Sequence, residues 1–309
     1  MLPFRLKPVY KNYLWGGRKL IDSWGKKPEH ETLAESWELA SHNDGDNLIL
    51  DGPCMNMKLS EAVKIHPEIV SPAFKPDETF PLMVKLIDSN LPLSIQVHPD
   101  NEYAEVHEHS RGKVESWYIL NHKEGAYIYL GLKERITRDE LEHAITNNTL
   151  TDYLRKIYVN DGDVYFIPAG TIHAIGEGVT LAEIQENSNI TYRVYDYGRV
   201  GADGKPRELH IMKALDVANL RPVNMNPPGR TGNVIVECDE FRVERVNAPY
   251  SGRTCNEGFR FILCIEGKSE FRCGDVSYEI RKGGNVFVPS DCENEFMIDG
   301  NAEFLITSE

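Results

Sequence analysis

Short segments rich in Ile, Val, Leu and Tyr, each closed by Gly, Pro or Asn, recur along the first two thirds of this chain. They are NLILDG, FPLMVKLID, LSIQVH, SWYILNH, AYIYLG, DVYFIPAG and VTLAEIQE. β-branched and aromatic residues suit the pleated surface of a sheet, and the punctuating residues suit tight turns. Strands this closely spaced, without regular intervening helices, argue against a parallel α/β sheet and for a sandwich or jelly roll. Two segments break the rhythm. LSEAVKIHPEIV (59–70) has the apolar spacing of a short helix. So does TRDELEHAITNNTLTDYLRKIYV (137–159), where Thr137 can cap, Glu140 sits three residues on, and Leu141, Ile145, Leu150 and Leu154 form a stripe. Asn147 and Asn148 are expected to divide this segment into two helices, and both segments are expected to pack against the sheet. DNEYAEVHEHSRG, starting at Asp100, is polar and reads as a loop.

RPVNMNPPGRTGN (221–233), dense in Pro, Gly and Asn, reads as a linker. It divides the chain into residues 1–220 and 221–309. Beyond it lie more strands: VIVEC, FRVERV, RFILCIEG, SEFRCG, VSYEI, NVFVPS and FMIDG. GDVYFIPAGTIHAI (162–175) and GGNVFVPSDCENEFMI (283–298) share a Gly, an alternating apolar strand, a Pro and a turn into another strand. Setting Pro168 on Pro289 places His173 opposite Asn294, so the second copy keeps the scaffold without the imidazole. One β unit duplicated, one copy armed and one blank, implies a single active site.

A formal net charge of −14 repels nucleic acid and anionic membranes, so an anionic ligand needs a local basic cluster working against the global field. The N-terminal MLPFRLKPVYKNYLWGG has no apolar core of signal-peptide or membrane-span length. The six cysteines, Cys54, Cys238, Cys255, Cys264, Cys273 and Cys292, form no C-x-x-C pair and read as reduced thiols of a cytoplasmic protein.

Gly162, Pro168, Gly170 and His173 fit G-x5-P-x-G-x2-H. The glycines permit a tight hairpin, the proline ends a strand, and the histidine emerges at a fixed place on the next. This resembles the second motif of the cupin superfamily, small jelly-roll barrels that often hold a metal. The first motif of such a site supplies H-x-H followed closely by Glu. Here Gln96 and His98, two apart and so on one face of a strand, stand in that place, and Glu115 follows 17 residues after His98. Gln96, His98, Glu115 and His173 offer an amide oxygen, a carboxylate and two imidazoles. That set suits Zn²⁺ with positions left open for water or substrate, and Fe²⁺ or Mn²⁺ would also fit. His107, His109 and His122 fall in polar or loop contexts and read as solvated; His143 sits on a helix face and His210 in a polar stretch.

PVYKNYLWGGRKL (8–20), ESWELASH (35–42), FPLMVKLID (80–88), LSIQVHPDNEYA (93–104), GKVESWYIL (112–120), FIPAGTIHAIGEG (166–178) and EIQENSNITYRVYDYGR (183–199) together resemble the type I mannose-6-phosphate isomerases, in their short bacterial form. The resemblance runs in order over about two thirds of the chain. The C-terminal quarter is similar only in character, as a degenerate cupin. The implied fold is mainly β: cupin-type jelly-roll barrels, one metal-bearing in residues 1–220 and one degenerate in 221–309, with a few short helices. The resemblance makes Gln96, His98, Glu115 and His173 zinc ligands, Lys85 a residue of the sugar site, Lys113 a further active-site lysine, Arg193 the catalytic arginine and Glu183 an acid facing the substrate. Ser116 replaces the family's Met between Glu115 and Trp117, on the side of the strand turned from the metal.

The implied reaction interconverts mannose 6-phosphate and fructose 6-phosphate through a cis-enediol. Arg193 cannot deprotonate at working pH and so stabilises developing charge. Lys113 and Glu183 both stand as the base, the lysine if burial and nearby positive charge lower its pKa, the carboxylate because it is already basic at neutral pH. Lys85 positions the sugar, and the phosphate meets Arg193 or the basic stretch around Arg199. The partner implied is a small sugar phosphate, and the protein is a monomer or homodimer. Two other readings use the same residues: another metal cupin enzyme, such as an iron dioxygenase or a different sugar-phosphate isomerase, and a non-enzymatic sugar-phosphate sensor.

Overall fold

The fold is described from a computed structural model covering residues 1–200, 204–254 and 257–309; Cys255 lies outside the described residues. The strands expected between residues 80 and 186 all form, and they belong to two sheets. One sheet has the order Val164–Ile167, Glu115–His122, Val179–Glu186, Leu82–Ser89, Glu35–Leu39, Val9–Lys11. The other has the order Leu154–Tyr158, Tyr127–Leu132, His173–Ile175, Ile95–Val97, Tyr192–Tyr195. From Leu82 to Tyr195 the chain crosses repeatedly from one sheet to the other, and the paired strands are antiparallel. This is the jelly-roll plan, left open at its edges. NLILDG contributes only Leu48–Ile49, paired with Leu6–Lys7.

Leu82–Ser89 and Val179–Glu186 are buried on both faces. Side chains on a strand alternate with period two, and here the two faces meet different partners. Leu82, Val84, Leu86, Ala182 and Ile184 join an apolar cluster with Phe259, Phe261, Phe287 and Leu305 of the C-terminal unit. Ile87, Trp117, Ile119, Val179 and Leu181 join a second cluster inside the jelly roll. Lys85, Glu115 and Glu183 share the parity of the second set, so the alternation aims all three inward.

The C-terminal unit is a sheet drawn from residues 234–308, in the order Val234–Glu237, Arg242–Asn247, Phe296–Ser308, Arg260–Cys273, Val276–Arg281. Tyr250–Gly252 and Asn285–Val288 add to it as side pairings. RFILCIEG and SEFRCG, expected as separate strands, are one strand. The register slips between Cys264 and Glu266, and Gly267 takes φ +80°. A bulge bends the strand there while the long partner keeps pairing with it. Asn285–Val288 holds the place of Val164–Ile167 in the repeat, but the next strand begins at Phe296, beyond exposed Asn294. Phe271, Phe296, Ile298 and Phe304 fill the interior of this copy.

The chain's first residues cross to the second unit, with Phe4 bridged to Phe287. A buried polar network spans the same seam. Lys26 Nζ lies 2.6 Å from Glu38 Oε1 and donates to Gly283 O at 2.6 Å. Ser36 and Asn285 donate to the two oxygens of Glu38, and Asn285 also brackets the backbone of Leu6.

The helices differ from expectation in three places. Residues 59–70 form a helix only over Leu59–Ile65, followed by a 3-10 turn at Pro67–Ile69. His66 breaks the run because a residue before proline is pushed out of the α region. In 137–159, Thr137 and Glu140 form the expected capping box on Arg138–Thr146, and Asn148 turns the chain with φ +57°. After one more turn, Leu150–Tyr153, residues Leu154–Tyr158 are a strand rather than helix. They pair with Tyr127–Leu132, whose open edge outweighs the helical spacing. The segment after Asp100 is not a loop: Asn101–Glu108 is a helix, capped by Asp100 accepting from Tyr103 N at 2.9 Å. Its apolar face is too thin to read in sequence, since only Ala104 is buried.

Candidate active site

His173 and Gln96 face one another across adjacent strands, and Arg193 pairs with Gln96 on the other side. His98 lies just past the same strand, and Glu115 opens the strand on the opposite sheet. The ligand atoms of His98, Glu115 and His173 all lie within 4.8 Å of one another, and all three residues are buried. Each imidazole is oriented by its far nitrogen. His98 Nδ1 lies 2.7 Å from Ile190 O, and His173 Nδ1 lies 2.8 Å from Thr171 O. A carbonyl can only accept, so both Nδ1 atoms carry the proton and both Nε2 lone pairs face inward. Burial keeps the rings neutral, His98 well below the usual histidine range and His173 at about 4.

Both oxygens of Glu115 are buried without a hydrogen bond of normal geometry, although Lys113 Nζ approaches Oε2 to 2.6 Å as an ion contact. Burial raises this carboxyl to about 7. An under-satisfied carboxylate beside two inward imidazole lone pairs is a poor arrangement for a protein core and a good one for a divalent cation. The donor set therefore fits a metal. Gln96 completes it when its amide presents oxygen; the amide nitrogen is the atom placed 3.4 Å from His173 Nε2 here.

Glu183 stands beside this centre, paired in register with both Lys85 and Trp117. Trp117 Nε1 donates to Oε2 at 3.0 Å, while Lys85 and Lys113 lie 3.4 and 3.7 Å from Oε1. Burial pushes Glu183 up, but the two ammonium groups outweigh it and hold the carboxyl down at about 2. Burial works to lower Lys113, yet Glu115 and Glu183 together raise it, the opposite direction from that expected of a lysine base. Lys85 is itself buried, packed over the Trp37 ring at 5.0 Å, and does not reach for solvent.

A cavity of about 290 Å³ opens over these groups, with Gln96, Lys113 and Glu183 on its wall beside Lys85 and Arg193. Arg193 Nε donates to Ser94 Oγ at 3.2 Å and Nη1 to Glu208 O at 3.1 Å. Sequence reasoning did not single out Arg207, which also lines the cavity. Asp196 accepts from Arg207 Nε at 2.7 Å and also pairs with Arg199. His210, placed in a polar stretch and given no role from sequence, lines the cavity too, its Nδ1 accepting from Arg193 N at 3.2 Å. The basic residues following Tyr195 were the one available signal for this wall. His107 instead stacks on Tyr103, and His122 lies 2.6 Å from Asp161, both away from the cavity.

In a protein of charge −14, four cations converging on one cavity define the class: a cupin-type enzyme built to take a small anion beside a metal-ready centre. Comparison with known proteins is more specific. Residues 3–130 match the family model for the phosphomannose isomerase type I catalytic domain, and residues 232–308 match that for the mannose-6-phosphate isomerase cupin domain. A Bacillus subtilis (strain 168) protein named probable mannose-6-phosphate isomerase GmuF is 36% identical, covering 99% of this chain and 98% of that one. The mannose-6-phosphate isomerase of Streptococcus mutans is 32% identical over 98% of this chain and 97% of its own. The crystal structure of a Bacillus subtilis mannose 6-phosphate isomerase superposes with a TM-score of 0.92 at 32% identity, over the full length of both chains. The chain belongs to the type I mannose-6-phosphate isomerase family and is an enzyme of that isomerase class.

Proposed function

We propose that this enzyme is a zinc-dependent aldose–ketose isomerase that interconverts mannose 6-phosphate and fructose 6-phosphate through a cis-enediol. The observation that carries the proposal is the junction of two sites in one place. The buried His98–Glu115–His173 centre touches Lys113, and Lys113, Glu183, Lys85 and Arg193 open onto the cationic cavity. A sensor would need the cations but not a buried carboxylate poised between two lysines.

In this reading His98, Glu115, His173 and the Gln96 amide oxygen hold the metal. The chemistry such an ion supplies is Lewis-acid polarisation of the sugar carbonyl or orientation of a water. Arg193 stabilises the charge that develops on the enediolate oxygens. Removing one well-aimed donor of this kind lowers kcat by about 10²–10³, and Arg193→Ala is expected to fall in that range by steady-state kinetics. For the base, Glu183 is held ionised by two lysines and oriented by Trp117, which favours it over Lys113. Lys113 then serves as the cation that keeps Glu183 ionised and as a proton carrier. Lys85 fixes the sugar, and Arg207 meets the phosphate. Arg207→Ala is expected to raise KM with kcat little changed, the mark of lost uniform binding.

We place the enzyme in the cytoplasm as a monomer or homodimer, with the chain divided near residue 220. Free Cys54, Cys238, Cys264, Cys273 and Cys292 support that location, and no helix among the described residues is long and apolar enough to cross a membrane. The deciding experiment is a coupled assay supplying mannose 6-phosphate and detecting fructose 6-phosphate. The protein is tested as purified, after chelation and after addition of zinc, iron or manganese. Turnover lost on chelation and restored best by zinc is the expected result; a folded protein inactive with every metal would overturn the proposal.

A further inference from the structure

Three consecutive backbone N–H groups lead into the strand that carries Glu115, and none belongs to a sheet ladder. Gly112 N donates to Asn101 Oδ1 at 2.9 Å, Lys113 N to Pro99 O at 3.0 Å and Val114 N to Glu186 Oε2 at 3.0 Å. Glu186 N returns a bond to Val114 O at 3.1 Å. Asn101 Nδ2 donates to Glu186 Oε1 at 2.8 Å, tying the two outer contacts together. The segment is docked so closely that a Cβ on Gly112 would lie 2.4 Å from the backbone of Asp100. Glu186 is buried, and its oxygens accept from Asn101 Nδ2 and Val114 N. Its two oxygens are spent on neutral donors.

We propose that Glu186 and Asn101 are positioning residues that hold Lys113 and Glu115 in their working places, and that residue 186 must be a carboxylate because both of its oxygens accept. The proposal rests on the roles given above to Lys113 and Glu115. Its core is the polarity of a single chain of bonds. Starting from Val114 N–H, Glu186 accepts; from the other end, Asn101 accepts from Gly112 N–H with its oxygen and so must offer its nitrogen to Glu186. An amide at 186 has one acceptor only. If it serves Val114, its nitrogen faces the nitrogen of Asn101; if Asn101 flips to meet it, a nitrogen faces Gly112 N–H. One link is lost either way.

The same polarity supplies a reciprocal test. In the double variant N101D/E186Q, the introduced aspartate accepts both from Gly112 and from the introduced amide nitrogen, while the amide oxygen accepts from Val114. Every bond is restored with its direction reversed between the two side chains, and the net charge is unchanged. For wild type, E186Q, N101D and N101D/E186Q, the measurements are zinc affinity by competition with a chromophoric chelator, thermal unfolding, and kcat and KM separately.

E186Q is expected to lose about 10–100-fold in zinc affinity and in kcat, as supporting partners of metal ligands do, with KM little changed. N101D should lose less, because Asn101 is exposed and water can solvate the mismatch. The double variant should recover most of the loss in both quantities, a coupling that independent sites would not show. An E186Q protein with wild-type zinc affinity and kcat would overturn the proposal, as would a double variant no better than E186Q. If the single variants fail to fold, a folded double variant is the rescue itself, and an unfolded one counts against the proposal. A wild type that binds zinc but leaves mannose 6-phosphate unchanged would refute the isomerase reading alone, with zinc affinity and rescue still judging the positioning pair.

Discussion

Glu115→Gln is expected to leave a folded protein that no longer retains zinc and turns over mannose 6-phosphate at least about 10³-fold more slowly, beyond the 10–100-fold typical of losing a supporting partner. The glutamine has nearly the shape of the carboxylate, so the change isolates charge and ligand strength. In the native protein Glu115 lies between two neutral imidazoles whose Nε2 atoms are 3.7 and 3.3 Å from its oxygens, with neither oxygen hydrogen-bonded in normal geometry. Two imidazole lone pairs and a carboxylate suit a divalent cation, and the amide supplies only a weak neutral donor in place of an anion. The sharpest readout is thermal unfolding with and without zinc. Binding to the folded state raises its stability by mass action, about 2.7 kcal/mol at a hundredfold excess over Kd. The wild type should therefore melt higher when zinc is added, and Glu115→Gln should not. An equal upward shift in both proteins would move the metal away from this centre.

Glu38→Ala is expected to destabilise the fold by about 3–5 kcal/mol, the usual result of removing one partner of a buried ion pair. Lys26 and Glu38 are 2.6 Å apart with side chains 5% and 0% exposed, so water cannot take the place of the lost carboxylate. The variant strands the Lys26 ammonium with Gly283 O as its remaining acceptor among the described residues and also removes an acceptor from Ser36 and Asn285. Because the network joins the jelly roll to the C-terminal sheet, loss of stability should appear as an earlier urea midpoint for the whole chain. Replacing Lys26 and Glu38 together by Met and Leu should be less harmful than Glu38→Ala, since no charge is left buried. A Glu38→Ala change below about 1 kcal/mol would mean that this seam behaves as an exposed ion pair.

Lys85 and Glu183 were legible only through the family resemblance, and Glu115 as the next suitable carboxylate after His98; strand period explains where all three point. Lys85, Glu115 and Glu183 share the parity of Ile87, Trp117 and Leu181 in their own strands, and that parity is written in the sequence. His173 was legible from a Gly–Pro–Gly hairpin whose turn chemistry leaves few alternatives, and Gly162 and Gly170 do take positive φ. Other features could not be read this way. Leu154–Tyr158 continues a helical apolar spacing and becomes a strand only because the edge of Tyr127–Leu132 is there to be paired. The helix Asn101–Glu108 buries a single alanine, so its capping aspartate was the only local signal.

The sequence by itself determined which chemical groups this protein has, which strand face each occupies and which of two similar β units carries the histidine. Those are short-range properties, set by side-chain type, period and turn conformation. Only the tertiary structure decided that His98, Glu115 and His173 converge from opposed sheets, that Arg207 and His210 join Arg193 on the cavity wall, and that Asn101 and Glu186 brace the approach to Glu115. Each of these depends on strand pairings and turns far apart in the chain. What selects them is the burial of apolar faces against one another, and the need of every buried N–H and C=O group for a partner.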